Sequence, residues 1–283
     1  MDRTQLSLYG LKWNPFAPSL PIEALHATPA LERFAWRIEH GLLPEGGFAL
    51  LTGDPGTGKS VALRLLADRL AARPELRVGA LAHPQSHLAD FYREMGELFG
   101  VSLRPHNRWG GFKALRERWH DHIESTRIRP LLLIDEAQEM SAAVLSELRL
   151  LTSARFDSFL LLTVVLAGDA RLRATLEREE LLPLHSRIRV RLHLEPASPA
   201  ELCSLLRHLL ECAGAPHLMT DELQHALCEH AAGNARALTT MAAELLHEAA
   251  ARECMRLDEK LFLELFADTP ARGARRRAAG RAR

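Results

Sequence analysis

At 283 residues, 47% hydrophobic and 25% charged, the chain has an ordinary globular balance and room for one large α/β domain plus a smaller one. No apolar run approaches the roughly twenty residues of a membrane span, the first sixteen residues show no basic-then-apolar signal pattern, and Cys203, Cys212, Cys228 and Cys254 are too widely spaced for a zinc or disulfide framework. Net charge is zero, yet the last thirteen residues, ARGARRRAAGRAR, hold six arginines and no acid, so the remainder carries −6; a soluble, cytoplasmic protein with an anionic partner and no membrane contact is expected.

Residues 1–46 read as an N-terminal segment and a helix. Over 47–195, strand-length apolar runs alternate with helical patterns. FALLTG (48–53) leads into the helix KSVALRLLADRLAAR (59–73), LRVGALAH (76–83) into a helix over 85–100, and a second helix over 112–125 precedes PLLLID (130–135). A helix over 142–153, the strand FLLLTVVLAG (159–168), a helix over 170–179 and the strand VRLHL (190–194) complete the set. Uniformly apolar strands between amphipathic helices indicate a parallel sheet covered on both faces. Residues 196–268 contain no strand pattern and read as four helices, with Ser198-Pro199 and Thr220-Asp221 as starts and Gly214 and Gly233 as stops. Residues 269–283 form a basic tail that has no apolar side chain larger than alanine beyond Pro270 and is expected to be disordered.

GDPGTGKS, Gly53 to Ser60, fits G-x-x-x-x-G-K-[ST] and stands where that motif must, after a strand and opening a helix. Gly53, Gly56 and Gly58 allow a tight turn that aims N–H groups at phosphate oxygens, and the helix N-terminus adds its positive end. The nucleotide-binding set is therefore Gly53, Asp54, Pro55, Gly56, Thr57, Gly58, Lys59, Ser60 and Val61. Lys59 would reach the β- and γ-phosphates of ATP, and Ser60 would ligate Mg2+. LIDEAQEM (133–140) ends a strand in two adjacent acids. Asp135 is expected to join Ser60 on the metal, and Glu136 to orient the attacking water and accept its proton. The same acids would also suit the dipole of the helix starting near Ser141. A helicase of the DExx type needs a second RecA-like domain, whereas only helices follow here, and no acceptor site marks a small-molecule kinase.

GDPGTGKS, LLLIDEAQEM, LLLTVVLAGDARLRATLER, LHSRIRVRLHLEPASPAELCSLLRHLLECAG and GNARAL, with YGLKWNPF at the start, together resemble the ExeA/TniB/TnsC group of AAA+ ATPases, relatives of the initiator clade, from about Tyr9 to Phe266. The resemblance implies a P-loop AAA+ parallel-sheet core with a C-terminal all-helical lid, ATP between the two, and oligomers that complete the site. It assigns Arg236 as a lid arginine that senses the γ-phosphate. Arg187 becomes the arginine acting in trans on a neighbour's ATP, with Arg189 and Arg191 as rivals. Asp169 falls at the polar sensor position after VVLAG, and His83 where relatives carry a residue that can restrain the catalytic Glu, although a plain loop His beside Pro84 fits too. LKWNPF is expected near the adenine, with Trp13 alternatively in a hinge core. Trp36, Trp109 and Trp119 are expected to pack on amphipathic helices, and His83 with His87 lacks a third ligand for a metal site.

Within the group, two functions differ in class. One is an ATP-dependent helper that oligomerises as a ring or filament on double-stranded DNA and recruits or activates a transposase. The other is a secretion-pathway ATPase of the ExeA type, which typically adds a membrane segment and a cell-wall-binding domain; their lack here and the arginine run favour DNA. Candidate DNA contacts are Arg275, Arg276 and Arg277 in the tail, and Arg104, His106, Asn107, Arg108 and Lys113 in SLRPHNRWGGFK.

Overall fold

The computed structural model describes residues 3–84, 87–102, 107–156 and 158–266. In chain order α1 (Arg3–Leu8) and α2 (Pro29–Gly41) are followed by β1 (Gly47–Gly53), α3 (Lys59–Ala71), β2 (Leu76–Leu81), α4 (Leu88–Phe99), α5 (Arg108–Asp121), β3 (Arg129–Ile134) and α6 (Ala142–Thr152). A small antiparallel hairpin, β4 (Ser153–Ala154) with β5 (Phe159–Leu160), precedes β6 (Thr163–Gly168), α7 (Ala170–Leu176), α8 (Leu182–His185) and β7 (Ile188–Leu194). Helices α9 (Pro199–Ala213), α10 (Asp221–His230), α11 (Ala235–Ala251) and α12 (Glu259–Phe266) follow.

The chain forms two compact units. One is Ala27–Pro196; the other joins the segment up to His26 to the segment from Ala197 onward. The first contains a parallel sheet of order β2-β3-β6-β1-β7. Side chains alternate faces along a strand, and the strands sort into two cores on that period. Phe48, Leu50, Leu132, Ile134, Val164 and Leu166 pack with residues of α4 to α8, whereas Ala49, Leu51, Leu131, Leu133, Val165 and Ala167 pack with α2 and α3. Each fully buried leucine here stabilises the fold by roughly 2 kcal/mol. Edge strand β7 buries Ile188 and Val190 but exposes Arg189 and Arg191, as a strand with one open side should.

Three details differ from the sequence expectation. The strand expected over 159–168 is broken at Leu161, whose N–H donates to Thr152 O at 2.8 Å, so the chain turns back on α6 before β6 begins. Helix α5 starts at Arg108 because Asn107 caps it, its side chain accepting Gly110 N–H at 2.8 Å. Trp119 is fully buried as expected, but Trp36 and Trp109 are 57% and 73% exposed. The buried stripe of α5 is Gly111, Leu115 and Trp119; Trp109 lies off it and stacks on Phe112 instead, as Trp36 stacks on His40.

In the second unit, Tyr9, Leu11 and Phe16 are buried with Leu206, Leu210, Leu245 and their neighbours. Tyr9 OH donates to Cys254 O at 2.9 Å and Lys12 N–H to Ala213 O at 2.9 Å, while Asn14 Oδ1 accepts Phe16 N–H at 3.0 Å and fixes the turn. The segment LKWNPF is thus a strap on the helical unit. The expected helix starts and stops are found: Ser198 and Glu201 form a capping box, Thr220 caps α10, and Gly214 and Gly233 take the left-handed φ of +89° and +82° that L side chains avoid; Asn234 in addition caps α11.

Candidate functional site at the carboxyl edge of the sheet

The strand register decides what meets at the sheet's carboxyl edge. Gly47 of β1 and Leu131 of β3 are both level with Thr163 of β6, so the ends of the three strands line up. Two strand spacings, about 10 Å, separate the phosphate loop after β1 from the acids after β3, with the end of β6 between them.

The loop after β1 has little freedom. A Cβ on Gly53 would lie 2.7 Å from both Leu194 O and Thr57 Oγ1, closer than side chains tolerate. Gly56 and Gly58 take φ of +88° and +98°. Thr57 Oγ1 donates to Asp54 O at 2.8 Å and closes the turn. Helix α3 then starts without a capping side chain, leaving its first N–H groups for an anion. Lys59 is buried, and its ammonium donates to Gly53 O at 2.9 Å and Asp54 O at 3.1 Å. Ser60 is exposed beside it.

Past β3, Asp135 N–H donates to Leu81 O at 2.9 Å, and Asp135 Oδ1 accepts Glu136 N–H at 2.9 Å. Glu136 sits at φ 49°, uncommon for a residue with a side chain. Its Oε2 accepts a hydrogen bond from Gln138 Nε2, and Gln138 Oε1 accepts Asp169 N–H at 3.3 Å. Asp169, which the resemblance puts at the polar sensor position, stands at the N-terminus of α7. Its carboxylate caps α7, accepting Arg171 N–H at 2.8 Å and pairing with Arg171 Nε at 2.9 Å. Burial pushes this carboxyl up, but the hydrogen bonds from Arg171 outweigh burial and hold it below the usual carboxylate range. A carboxylate so occupied is a helix cap, and the polar side chain at the end of β6 is Gln138.

The donors near the loop are hard oxygens, the Ser60 hydroxyl and the Asp135 carboxylate, which suit Mg2+ held jointly with nucleotide phosphates. Among the described residues no group of three or more His, Cys, Asp or Glu is placed to hold a metal ion by protein alone. His83 is exposed just past β2.

Residues 44–176 match the family profile described as an AAA domain. The sheet unit has the P-loop AAA+ fold. The chain is 32% identical over 209 residues to general secretion pathway protein A of Aeromonas hydrophila, an alignment that covers 73% of this chain and spans 37% of that protein's length. In fold it resembles Cdc6p of Pyrobaculum aerophilum (TM-score 0.72, 17% identity, 86% of this chain and 67% of that one). It also resembles the Aeropyrum pernix ORC1 protein solved in complex with DNA (0.68, 19%, 89% and 68%). Domain III of the Thermotoga maritima replication initiation protein DnaA is similar as well (0.60, 19%, 90% and 99%).

Three arginines near β7 of the AAA+ core differ in surroundings. Arg189 reaches Glu45 Oε2 at 2.7 Å and Gly46 O at 2.6 Å, at the opposite, amino edge of β1. Arg191 donates to His185 O at 3.0 Å. Arg187, half-buried, donates to Pro183 O at 3.1 Å. Arg236 lies exposed in the first turn of α11, in the helical unit. The candidate DNA contacts fare unevenly. Arg108 is instead engaged with the buried carboxylate of Glu147, which also accepts from Tyr92 OH, and Lys113 stands 3.7 Å from Glu117. Arg104, His106, Arg275, Arg276 and Arg277 lie outside the described residues. Sequence reasoning left Gln138 without a role and passed over Arg171; both act through partners about thirty residues away, which spacing does not reveal. Among the described residues no helix is long and apolar enough to cross a membrane.

Proposed function

We propose that the AAA+ core binds ATP on Gly53–Val61 and hydrolyses it to ADP and phosphate, and that copies of the chain assemble into an ATP-dependent, DNA-binding helper of a transposase. The observation that carries hydrolysis is Glu136, a carboxylate one residue past the metal-ligand position, at the same sheet edge as the phosphate loop. Lys59 exchanges its two loop carbonyls for phosphate oxygens. Ser60 and Asp135 would hold Mg2+, which when bound would supply positive charge against the nucleotide phosphates. Glu136 accepts a proton as the water oxygen bonds to the γ-phosphorus, and the electron pair of the broken bond leaves with ADP. Arg236 is assigned to the γ-phosphate of its own subunit, and Arg187 to a neighbour's, as the resemblance of GNARAL and LHSRIRV to the family's motifs implies.

The DNA reading draws support from the basic end of the sequence and from the likeness in fold to ORC1 bound to DNA. A second reading, a general secretion pathway ATPase acting in envelope assembly, is favoured by the relative at 32% identity. Sedimentation with and without duplex DNA and a non-hydrolysable ATP analogue separates them. Large species that need both support the helper; assembly indifferent to DNA sinks it and favours the secretion role. For the chemistry, Glu136→Gln is expected to bind ATP normally and lose hydrolysis by roughly a hundredfold or more; wild-type turnover would remove Glu136 from the mechanism.

A further inference from the structure

We infer that Gln138 is a positioning residue that holds the Glu136 carboxylate to the end of β6, so that the orientation of the base depends on the β6–α7 turn; the inference rests on Glu136 acting as proposed above. The amide has one orientation that satisfies both neighbours. A carboxylate needs a donor and a backbone N–H needs an acceptor, so the NH2 group faces Glu136 and the oxygen faces Asp169 N–H. Room for it is built into the backbone, because a Cβ on Gly168 would lie 2.6 Å from Gln138 Oε1. A second strut runs parallel: Arg171 pairs with Glu139 Oε1 at 3.0 Å and with Asp169 Oδ2 at 2.9 Å. The turn carrying the base, residues 136–139, is thus tied twice to residues 168–171. Those residues end the strand lying between the phosphate loop and the base.

The test compares wild type with Gln138→Ala, Gln138→Glu and Glu136→Gln, measuring affinity for a fluorescent ATP analogue, kcat and KM. Gln138→Ala is expected to keep nucleotide affinity and KM while kcat falls about tenfold or more, because the base loses its orientation. On a Glu136→Gln background the same change should cost nothing further. Gln138→Glu removes the donor and places a like charge against the base, so kcat should fall there as well with KM kept. A kcat unchanged in both Gln138 variants, with Glu136→Gln inactive, would overturn the positioning role alone. Wild-type hydrolysis by Glu136→Gln would instead remove the underlying reading of the site.

Discussion

Glu147 lies in the interior of α6 at 2% exposure, and a carboxylate there persists only with partners. It has two, the Tyr92 hydroxyl and the fork of Arg108. Burial pushes its carboxyl up, but the hydrogen bonds from Arg108 and Tyr92 outweigh burial and leave it below the usual range. The sign of the linkage follows: stability from this group is fully present above the unfolded carboxylate pKa and is lost as pH falls through the lowered folded value. Glu147→Ala is expected to cost about 2 kcal/mol at neutral pH, read from urea melts, because it leaves the buried Tyr92 hydroxyl without its acceptor. The stability gap between wild type and Glu147→Gln should close on acidification; a gap that widens with acid would contradict the assignment. The sequence could not show this site, since the two ends of the ion pair are 39 residues apart and a lone Glu in an amphipathic helix looks solvent-facing. The phosphate loop and the Asp135–Glu136 pair were legible for the opposite reason: neighbours along the chain carry their geometry.

At the level of elements, legibility tracks local chemistry in the same way. The alternation that sorts Leu50 from Leu51 into different cores is a property of strands, and the capping signals at Ser198 and Thr220 need only three or four residues. What the sequence hid are features decided by distant partners. Leu161 breaks a continuous apolar run because its N–H goes to α6, and Trp109 is exposed because Leu115 and Trp119 already define the buried stripe of α5. The box at Ser198 offers a clean measurement: Ser198→Ala should destabilise the helical unit by about 1 kcal/mol in thermal melts. No change would mean that Pro199 and the packing of Leu202 and Leu206 alone fix the start of α9.

For the whole molecule, the proposed assembly places chemistry on two copies at once. If Arg187 serves a neighbour, Arg187→Ala and Glu136→Gln should each be inactive alone. Mixed together they should regain part of the ATPase rate, since some sites pair an intact Glu136 with an intact Arg187. Mixtures no more active than their components, measured across protein concentration, would place the trans residue elsewhere. The strap of Tyr9, Leu11 and Phe16 has a different kind of consequence. The sheet unit is an insertion within the helical unit, and the bond from Tyr9 to Cys254 closes a loop of 245 residues. On the ribosome the strap emerges before the sheet unit, yet its packing partners emerge after it. The sheet unit can complete both of its cores while the strap still waits. A nascent chain arrested before Ala197 would therefore display a folded nucleotide-binding unit with a greasy, unclaimed leader, a species for chaperones to shield until translation supplies the helices that claim it.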